Sequence, residues 1–452
     1  MAFRDISAAS LREEIASSAT AARAFLAELF DEGTFLEIGT YVKNTTENGT
    51  FEGVITGCGA VDGRPVFAFV QDYDNGRAAF TAAHGKKICA LYDAAIRAKA
   101  PVVGVFSGAG AKLSEGIDCL SAYGAVMAKS HRAKQVIPQI AVLTGTCGGA
   151  SAVLSEMFDF TVADKASAKR YILPHASEGD RPATKADLSV PTAELSGTVR
   201  RLLNYLPSNS TEGTVYSLAR EDINIPAENV EALVAPDADV KELIAALADD
   251  GRFLELAGDV APEMVCSLWE LNGRVIGAVA NQPAVEQGKL TAKAAKKAAR
   301  FVDFLGRFGI PVLTLVNTEG MGGKECCCYG ESLAKLAEAY LACPSPKVTA
   351  VVGKAYGSAF TLLGSKQLGA DLVFALDSAV ISVLPTETAV EFVWDERLKA
   401  ADDPQAARLA LREEWDKTIA SPLAAARSGD VDDIIAFDEL KQRLAVGFEI
   451  LG

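Results

Sequence analysis

The chain has 452 residues, 49% of them apolar, and 44 Lys plus Arg against 59 Asp plus Glu leave a net charge of −15. That length exceeds a usual single domain and divides into two halves that can each bury a core, and the acidic balance argues against a general nucleic-acid binder. No signal-peptide pattern opens the sequence and no apolar run approaches membrane-spanning length, so a cytoplasmic protein is expected. In chain order, an amphipathic helix is predicted over 8–30, then a hairpin in which Gly53 to Gly59 pairs with Arg64 to Val70 across Val61-Asp62-Gly63. Asp72 to Thr81 reads as a polar loop, His84 to Ala98 as helix, and Val102 to Phe106 as a buried strand.

Just past that strand lies Ser107-Gly108-Ala109-Gly110-Ala111-Lys112-Leu113-Ser114-Glu115-Gly116. In an open α/β arrangement ligands bind at this edge, so the loop is a candidate for enclosing substrate with backbone N–H donors. A second strand, Ile137 to Leu143, runs into Thr144-Gly145-Thr146-Cys147-Gly148-Gly149-Ala150 and a helix. From Lys165 to Asp249 the texture changes: His175 to Pro191 reads as a lid or loop, Leu195 to Leu206 as helix, and Asp237 to Gly251 as an acidic helical piece that closes the first half. The second half repeats the hairpin as Val265 to Leu271, Asn272-Gly273, and Arg274 to Ala280. Near the C-terminus Glu391 and Asp395 stand one helical turn apart, and 402–438 reads as charged, helical scaffold.

The most informative stretch is Pro346 to Gly364, where the run Val348 to Val352 leads into Gly353-Lys354-Ala355-Tyr356-Gly357-Ser358-Ala359 and then an apolar helix. Glycines let the backbone turn tightly, and the first free N–H groups of the helix can then hold an anion or a developing oxyanion. Gly148 and Gly357 lie 209 positions apart, Pro101 and Pro311 lie 210 apart, and Lys86-Lys87 and Lys296-Lys297 share that offset. Such spacing predicts two copies of one domain, and the change of composition near Asp237 to Gly251 sets their boundaries at 1–245 and 246–452. Nine cysteines carry no zinc spacing; Cys326-Cys327-Cys328 cannot all face one tetrahedral centre, and no metal is predicted. The three histidines, His84, His131 and His175, form no HxH or HExxH pattern and read as structural. Neither Ser107 nor Ser114 has a base beside it in sequence.

Five stretches carry a resemblance: His84 to Gly116, Val136 to Phe160, Val199 to Asn209, Lys293 to Gly320 and Pro346 to Ala375. They resemble the carboxyltransferase component of biotin-dependent acyl-CoA carboxylases and decarboxylases. The resemblance implies an α/β fold of tandem crotonase-like domains built from β-β-α units, with acyl-CoA on the first half and biotin on the second. It implies catalytic N–H groups near Gly148, Gly149 and Ala150 for the thioester carbonyl, and near Gly357 and Ser358 for the biotin ureido group. Gly108, Ala109, Gly110, Lys112, Arg77 and Lys86 fall where coenzyme A would bind, with Lys134 a further cationic candidate, and Tyr356 and Gly320 fall beside biotin.

The implied partners are a separate biotin carboxyl carrier protein and a biotin carboxylase or membrane decarboxylase subunit, because the sequence carries no Met-Lys-Met motif or ATP-grasp segment of its own. A homodimer, or a trimer of dimers, is also implied. The sequence departs from the family at three places: SGGARxQEG becomes Ser107 to Gly116, the DxPGF loop becomes Asn317-Thr318-Glu319-Gly320-Met321-Gly322-Gly323-Lys324, and YGGAY becomes Tyr356 to Phe360. A biotin-independent CoA-ester lyase on the same fold and a non-catalytic scaffold subunit are the alternatives.

Overall fold

The computed structural model describes residues 15, 18–42, 51–173, 184–217, 222–324 and 326–452. His175 and most of the expected 175–191 loop lie outside the described residues, as do residues 8–14 of the expected opening helix. Helix α1 (Ala21–Leu29), capped by the Thr20 hydroxyl on the Arg23 N–H, leads into β1 (Leu36–Ile38) and the hairpin β2 (Val54–Val61) and β3 (Arg64–Gln71). The hairpin turns at Asp62 and Gly63, whose positive φ values of 50° and 78° suit a type I′ turn. The Asp31 carboxylate accepts from both turn N–H groups, at 3.1 and 2.9 Å, and these bonds hold its pKa below the usual range.

Helix α2 (Ala82–Ala98) crosses to β4 (Val102–Phe106), and α3 (Ile117–Ala133) crosses to β5 (Gln139–Leu143). The chain continues through β6 (Thr146–Gly148), α4 (Ala150–Glu156), β7 (Phe160–Asp164), β8 (Lys169–Tyr171), β9 (Leu188–Val190) and α5 (Leu195–Tyr205). Strands order as β1-β2-β3-β4-β5-β7-β9, antiparallel up to β3 and parallel beyond it, while β6 pairs with β8 in a small sheet of its own. Every residue of β4, β5 and β7 is buried, as strands covered on both faces require. Phe69, Phe106 and Phe158 meet edge-on beneath them, and Gly104 leaves them room: a Cβ there would lie 2.4 Å from the Phe69 ring.

After α6 (Val230–Leu233), the pair α7 (Val240–Leu247) and β10 (Phe253–Leu256) opens the second unit as α1 and β1 open the first. The hairpin β11 (Met264–Leu271) and β12 (Arg274–Asn281) follows, and Asp249 accepts from its Asn272 and Gly273 turn N–H groups just as Asp31 does in the first unit. The compact units accordingly divide between Glu212 and Gly213, ahead of the 245/246 boundary expected from composition. Asp237 to Gly251 thus begins the second repeat, because its helix packs Val240, Leu243, Ile244 and Leu247 into the second core.

Helix α8 (Ala292–Arg307), β13 (Val312–Thr318), α9 (Tyr329–Ala342) and β14 (Lys347–Tyr356) continue the repeat, then α10 (Ser358–Leu362), β15 (Leu372–Leu376) and β16 (Val380–Ser382). β14 spans in one strand what the first unit divides between β5 and β6: its start pairs with β13 and β15, its last three residues with β16. Four helices then intervene, α11 (Thr386–Val393), α12 (Asp395–Lys399), α13 (Pro404–Thr418) and α14 (Pro422–Ser428), before β17 (Asp433–Ile435) rejoins the sheet beside β15 and α15 (Leu440–Leu451) ends the chain.

The inserted helices build a small core from Val390, Leu398, Leu411 and Trp415. The 402–438 segment is therefore more than scaffold, since it returns a strand to the second sheet. Glu391 and Asp395 do not share a helix; Trp394 separates them, Glu391 faces Arg408 and Asp395 pairs with Lys399. Among the described residues no helix is long and apolar enough to cross a membrane.

Candidate active site

At equivalent turns the two units each place a glycine in a backbone conformation closed to side-chain-bearing residues. Gly149 (φ 56°, ψ −124°) stands between β6 and α4, and Gly357 (φ 60°, ψ −146°) between β14 and α10. Gly357 therefore matches Gly149 and not Gly148, a spacing of 208. The N–H groups of these two glycines are not available to a ligand. Gly149 donates to the Tyr171 carbonyl and Gly357 to the Ser382 carbonyl, both at 2.9 Å. Their role is conformational: the turn they permit presents the next N–H groups, of Ala150 and Ser151 in one unit and Ser358 and Ala359 in the other, which have no acceptor within their own helices. Gly148 ends β6 with its Cα face against the Tyr171 ring, where a Cβ would approach to 3.1 Å.

The two glycine-rich loops after β4 and β13 follow one backbone path. In the first, Ala109 N–H donates to the Arg77 carbonyl (3.0 Å), Phe80 N–H to Gly110 (2.8 Å) and Lys112 N–H to Phe80 (2.9 Å). In the second, Glu319 donates to Gln287 (3.2 Å), Leu290 to Gly320 (2.9 Å) and Gly322 to Leu290 (3.2 Å), each 210 positions on. Arg77 and Gln287 both adopt left-handed φ, 56° and 58°. The loop at Asn317 to Lys324 departs from the family in side chains, yet contacts between main chains hold it, so its path does not depend on the missing proline and aromatic. Gly108 N–H donates to the Thr146 carbonyl at 2.9 Å, which brings the first loop beside the turn before α4.

Sequence reasoning missed the side chains that fasten these loops, since none belongs to a spaced motif. Gln71 Oε1 accepts from Ser107 N–H at 3.0 Å, and Asn281 Oδ1 takes the matching place toward Asn317 N–H at 3.4 Å. Asn317 itself accepts from Lys354 N–H at 3.1 Å and donates to the Val234 carbonyl at 3.3 Å. Lys354 pairs with Glu319, and burial, followed by the charges of Glu319, Asp416 and Glu387, pushes the Tyr356 phenol up to about 12. Tyr356 therefore stays protonated beside the second turn. In the first unit Tyr123 meets Ser151 of α4 at 2.7 Å, and burial likewise raises its pKa to about 12.

The predicted cations are spread over the surface. Arg77 and Lys86 are exposed and Lys112 and Lys134 half-exposed, whereas Lys87 turns inward to the Val54 carbonyl. Burial pushes the Cys147 thiol, next to Gly148, up to about 11, so it offers no thiolate nucleophile. No cluster that could hold a metal occurs among the described residues. Cys326, Cys327 and Cys328 are exposed at the start of α9, while Cys119, Cys147, Cys266 and Cys343 are buried. A maleimide added to the native protein is expected to label the three adjacent thiols within minutes and the four buried ones only after unfolding. Intact and peptide mass spectrometry would count them, and native labelling of Cys147 would contradict this packing.

The carboxyl transferase domain model matches residues 16–173 and 192–451. The methylmalonyl-CoA decarboxylase subunit alpha of Propionigenium modestum is 32% identical, over 98% of this chain and 92% of its own. A putative propionyl-CoA carboxylase beta chain of Bacillus subtilis is 34% identical, over 94% and 89%. Among solved structures, a transcarboxylase 12S hexamer with methylmalonyl-coenzyme A and methylmalonic acid bound superposes with a TM-score of 0.87 at 29% identity, covering 97% of this chain and 91% of that one. The crotonase-like α/β architecture that the resemblance implied is therefore the fold of this protein, and the chain belongs to the carboxyl transferase domain family.

Proposed function

We propose that this protein moves a carboxyl group between a small acyl-CoA and biotin borne on a separate carrier protein, as the carboxyltransferase of a biotin-dependent acyl-CoA decarboxylase or carboxylase. The observation that supports it most is the matched pair Gly149 and Gly357, positive-φ glycines at equivalent places in the two units, each opening a helix whose first N–H groups have no intrahelical acceptor. The chemistry needs two such sites. Transfer from the acyl α-carbon to the biotin N1 passes through a thioester enolate on one side and a ureido anion on the other, and each negative oxygen is stabilised by preformed donors.

In this reading Ala150 and Ser151 N–H polarise the thioester carbonyl, while Ser358 and Ala359 N–H do so for the ureido oxygen. Gly148, Gly149 and Gly357 shape the turns. The backbone of Gly108, Ala109 and Gly110 borders the acyl group, and Arg77, Lys86, Lys112 and Lys134 attract the coenzyme A phosphates. Tyr356 and Gly320 frame biotin. The first unit is the acyl-CoA side and the second the biotin side. The shared path of the two glycine-rich loops supports a second, biotin-side pocket despite the altered Asn317 to Lys324 sequence. A cytoplasmic homo-oligomer, a dimer or a trimer of dimers, working with a biotin carboxyl carrier protein and a biotin carboxylase or membrane decarboxylase subunit completes the reading.

Acetyl-, propionyl-, malonyl-, methylmalonyl- and glutaconyl-CoA, each assayed with free biotin and with a biotinylated carrier, test it. Turnover that requires biotin is expected with at least one ester. Tight CoA-ester binding and decarboxylation without biotin would overturn it in favour of a lyase.

A further inference from the structure

His84 is wholly buried at the first turn of α2, and its ring contacts tie together both ends of the first glycine-rich loop. At one end, Ser107 N–H can only donate, so the Gln71 atom facing it must be Oε1, at 3.0 Å. The Gln71 Nε2 then faces His84 Nε2, 3.4 Å away, which must present its lone pair; the imidazole proton therefore sits on Nδ1. Nδ1 points at the Glu52 carboxylate, 3.6 Å away and equally buried, and neither that nitrogen nor either Glu52 oxygen has a closer hydrogen-bond partner among the described residues. Burial lowers the His84 pKa against the opposing pull of Glu52, which keeps the ring neutral. At the loop's other end, the Phe80 ring lies 4.5 Å from the imidazole, and Phe80's own N–H and carbonyl hold Gly110 and Lys112. Phe80 also stacks on Tyr123 at 3.7 Å, the residue bonded to Ser151 of α4.

The second unit fixes the same amide differently. Asn281, the counterpart of Gln71, donates to the Gly288 carbonyl at 2.8 Å, and alanine stands at 294 where the first unit has His84. A backbone carbonyl orients the amide there, and an imidazole orients it here.

We infer that His84, whose Nδ1 faces Glu52, is a positioning residue of the first site: its Nε2 lone pair fixes the Gln71 amide so that Oε1 receives Ser107 N–H and holds the loop Gly108 to Ala111 beside α4. The inference rests on the reading of the first unit as the acyl-CoA side, but its structural part can be tested without turnover. Hydrogen–deuterium exchange on the full-length protein should show amides of 107–112 exchanging about tenfold faster in His84→Leu and in Gln71→Met, as expected for loss of one buried hydrogen bond. Amides of 317–322 should be unchanged. His84→Gln, which restores an acceptor toward Gln71, should return the 107–112 rates to within about threefold of the parent. In the transfer assay kcat should fall about tenfold in the first two variants, with the acyl-CoA KM within about twofold, and recover in His84→Gln.

Unchanged exchange at 107–112 would overturn the inference, as would an equal rise in both loops or a failure of His84→Gln to rescue. Should His84→Leu not fold, Gln71→Met carries the same comparison. Altered exchange in a protein without biotin-dependent turnover would uphold the positioning role and reject the proposed function alone.

Discussion

Gly149→Ala is expected to lower carboxyl transfer by about 10²- to 10³-fold, the loss typical of one displaced oxyanion donor. Nothing lies within 4 Å of the site a Cβ would occupy, so no steric clash with neighbours contributes. The cost is torsional: an L-residue cannot hold φ 56° with ψ −124°, and relaxing the turn swings the Ala150 and Ser151 N–H groups out of place. Because the buried core of the first unit is untouched, the melting temperature should move by only a few degrees. Gly357→Ala should have an equal effect on transfer, with a minor added contact to the Val383 carbonyl at 3.3 Å. The two variants separate in binding: Gly357→Ala should retain the affinity of the parent for acyl-CoA in calorimetry, whereas Gly149→Ala should weaken it. Full activity in Gly149→Ala would remove the α4 N-terminus from the mechanism.

The second large effect falls on Asn317, the residue that replaces the acidic start of the family's biotin-side loop. Its side chain is buried and satisfies the Lys354 N–H and the Val234 carbonyl, while its own N–H meets Asn281. Asn317→Ala leaves both of the first two groups without their partner, and a cost of about 2–4 kcal/mol to the second unit follows. Gly353 makes the test sharper. A Cβ at Gly353 would lie 2.4 Å from Asn317 Cγ, so Gly353→Ala alone must expel that side chain and should cost about as much. In the Asn317→Ala background the same Gly353→Ala change meets no amide and should add under about 0.5 kcal/mol, a strong departure from additivity that urea titration of the double mutant would measure. Additive losses would mean that the two positions do not share this space.

Alternation and turn chemistry made much of the fold legible in advance. Asn272-Gly273 turns as a two-residue hairpin loop because both central residues must accept positive φ, and the residue types declare it; the first hairpin was placed correctly, but Val61 pairs with Arg64, so its loop is Asp62-Gly63 alone and not the expected Val61-Asp62-Gly63. The buried strands at 102–106 and 139–143 announce themselves as apolar runs bounded by proline and glycine, and the constant offset between halves exposes the duplication. The glycine motifs before α4 and α10 were likewise readable as candidate anion sites.

Four features were decided only in three dimensions. Composition placed the boundary at 245/246, inside the helix at 240–247, whereas packing gives that whole helix to the second core, because its apolar face matches α15 and β11 across long sequence separations. The excursion from α11 to α14 hid the return of β17, three residues long and too short for any periodic signal. Which N–H groups are free could not be read from Gly149 or Gly357, since their acceptors, Tyr171 and Ser382, come from neighbouring strands. His84 read as a structural histidine because its partners, Gln71 and Glu52, carry no spacing rule and meet it only through the hairpin's fold. Local conformation, governed by torsion and turn preference, was therefore set by the sequence itself; the assignment of donors, acceptors and loop anchors was set by tertiary structure, because hydrogen bonds between strands distant in the chain leave no pattern along it.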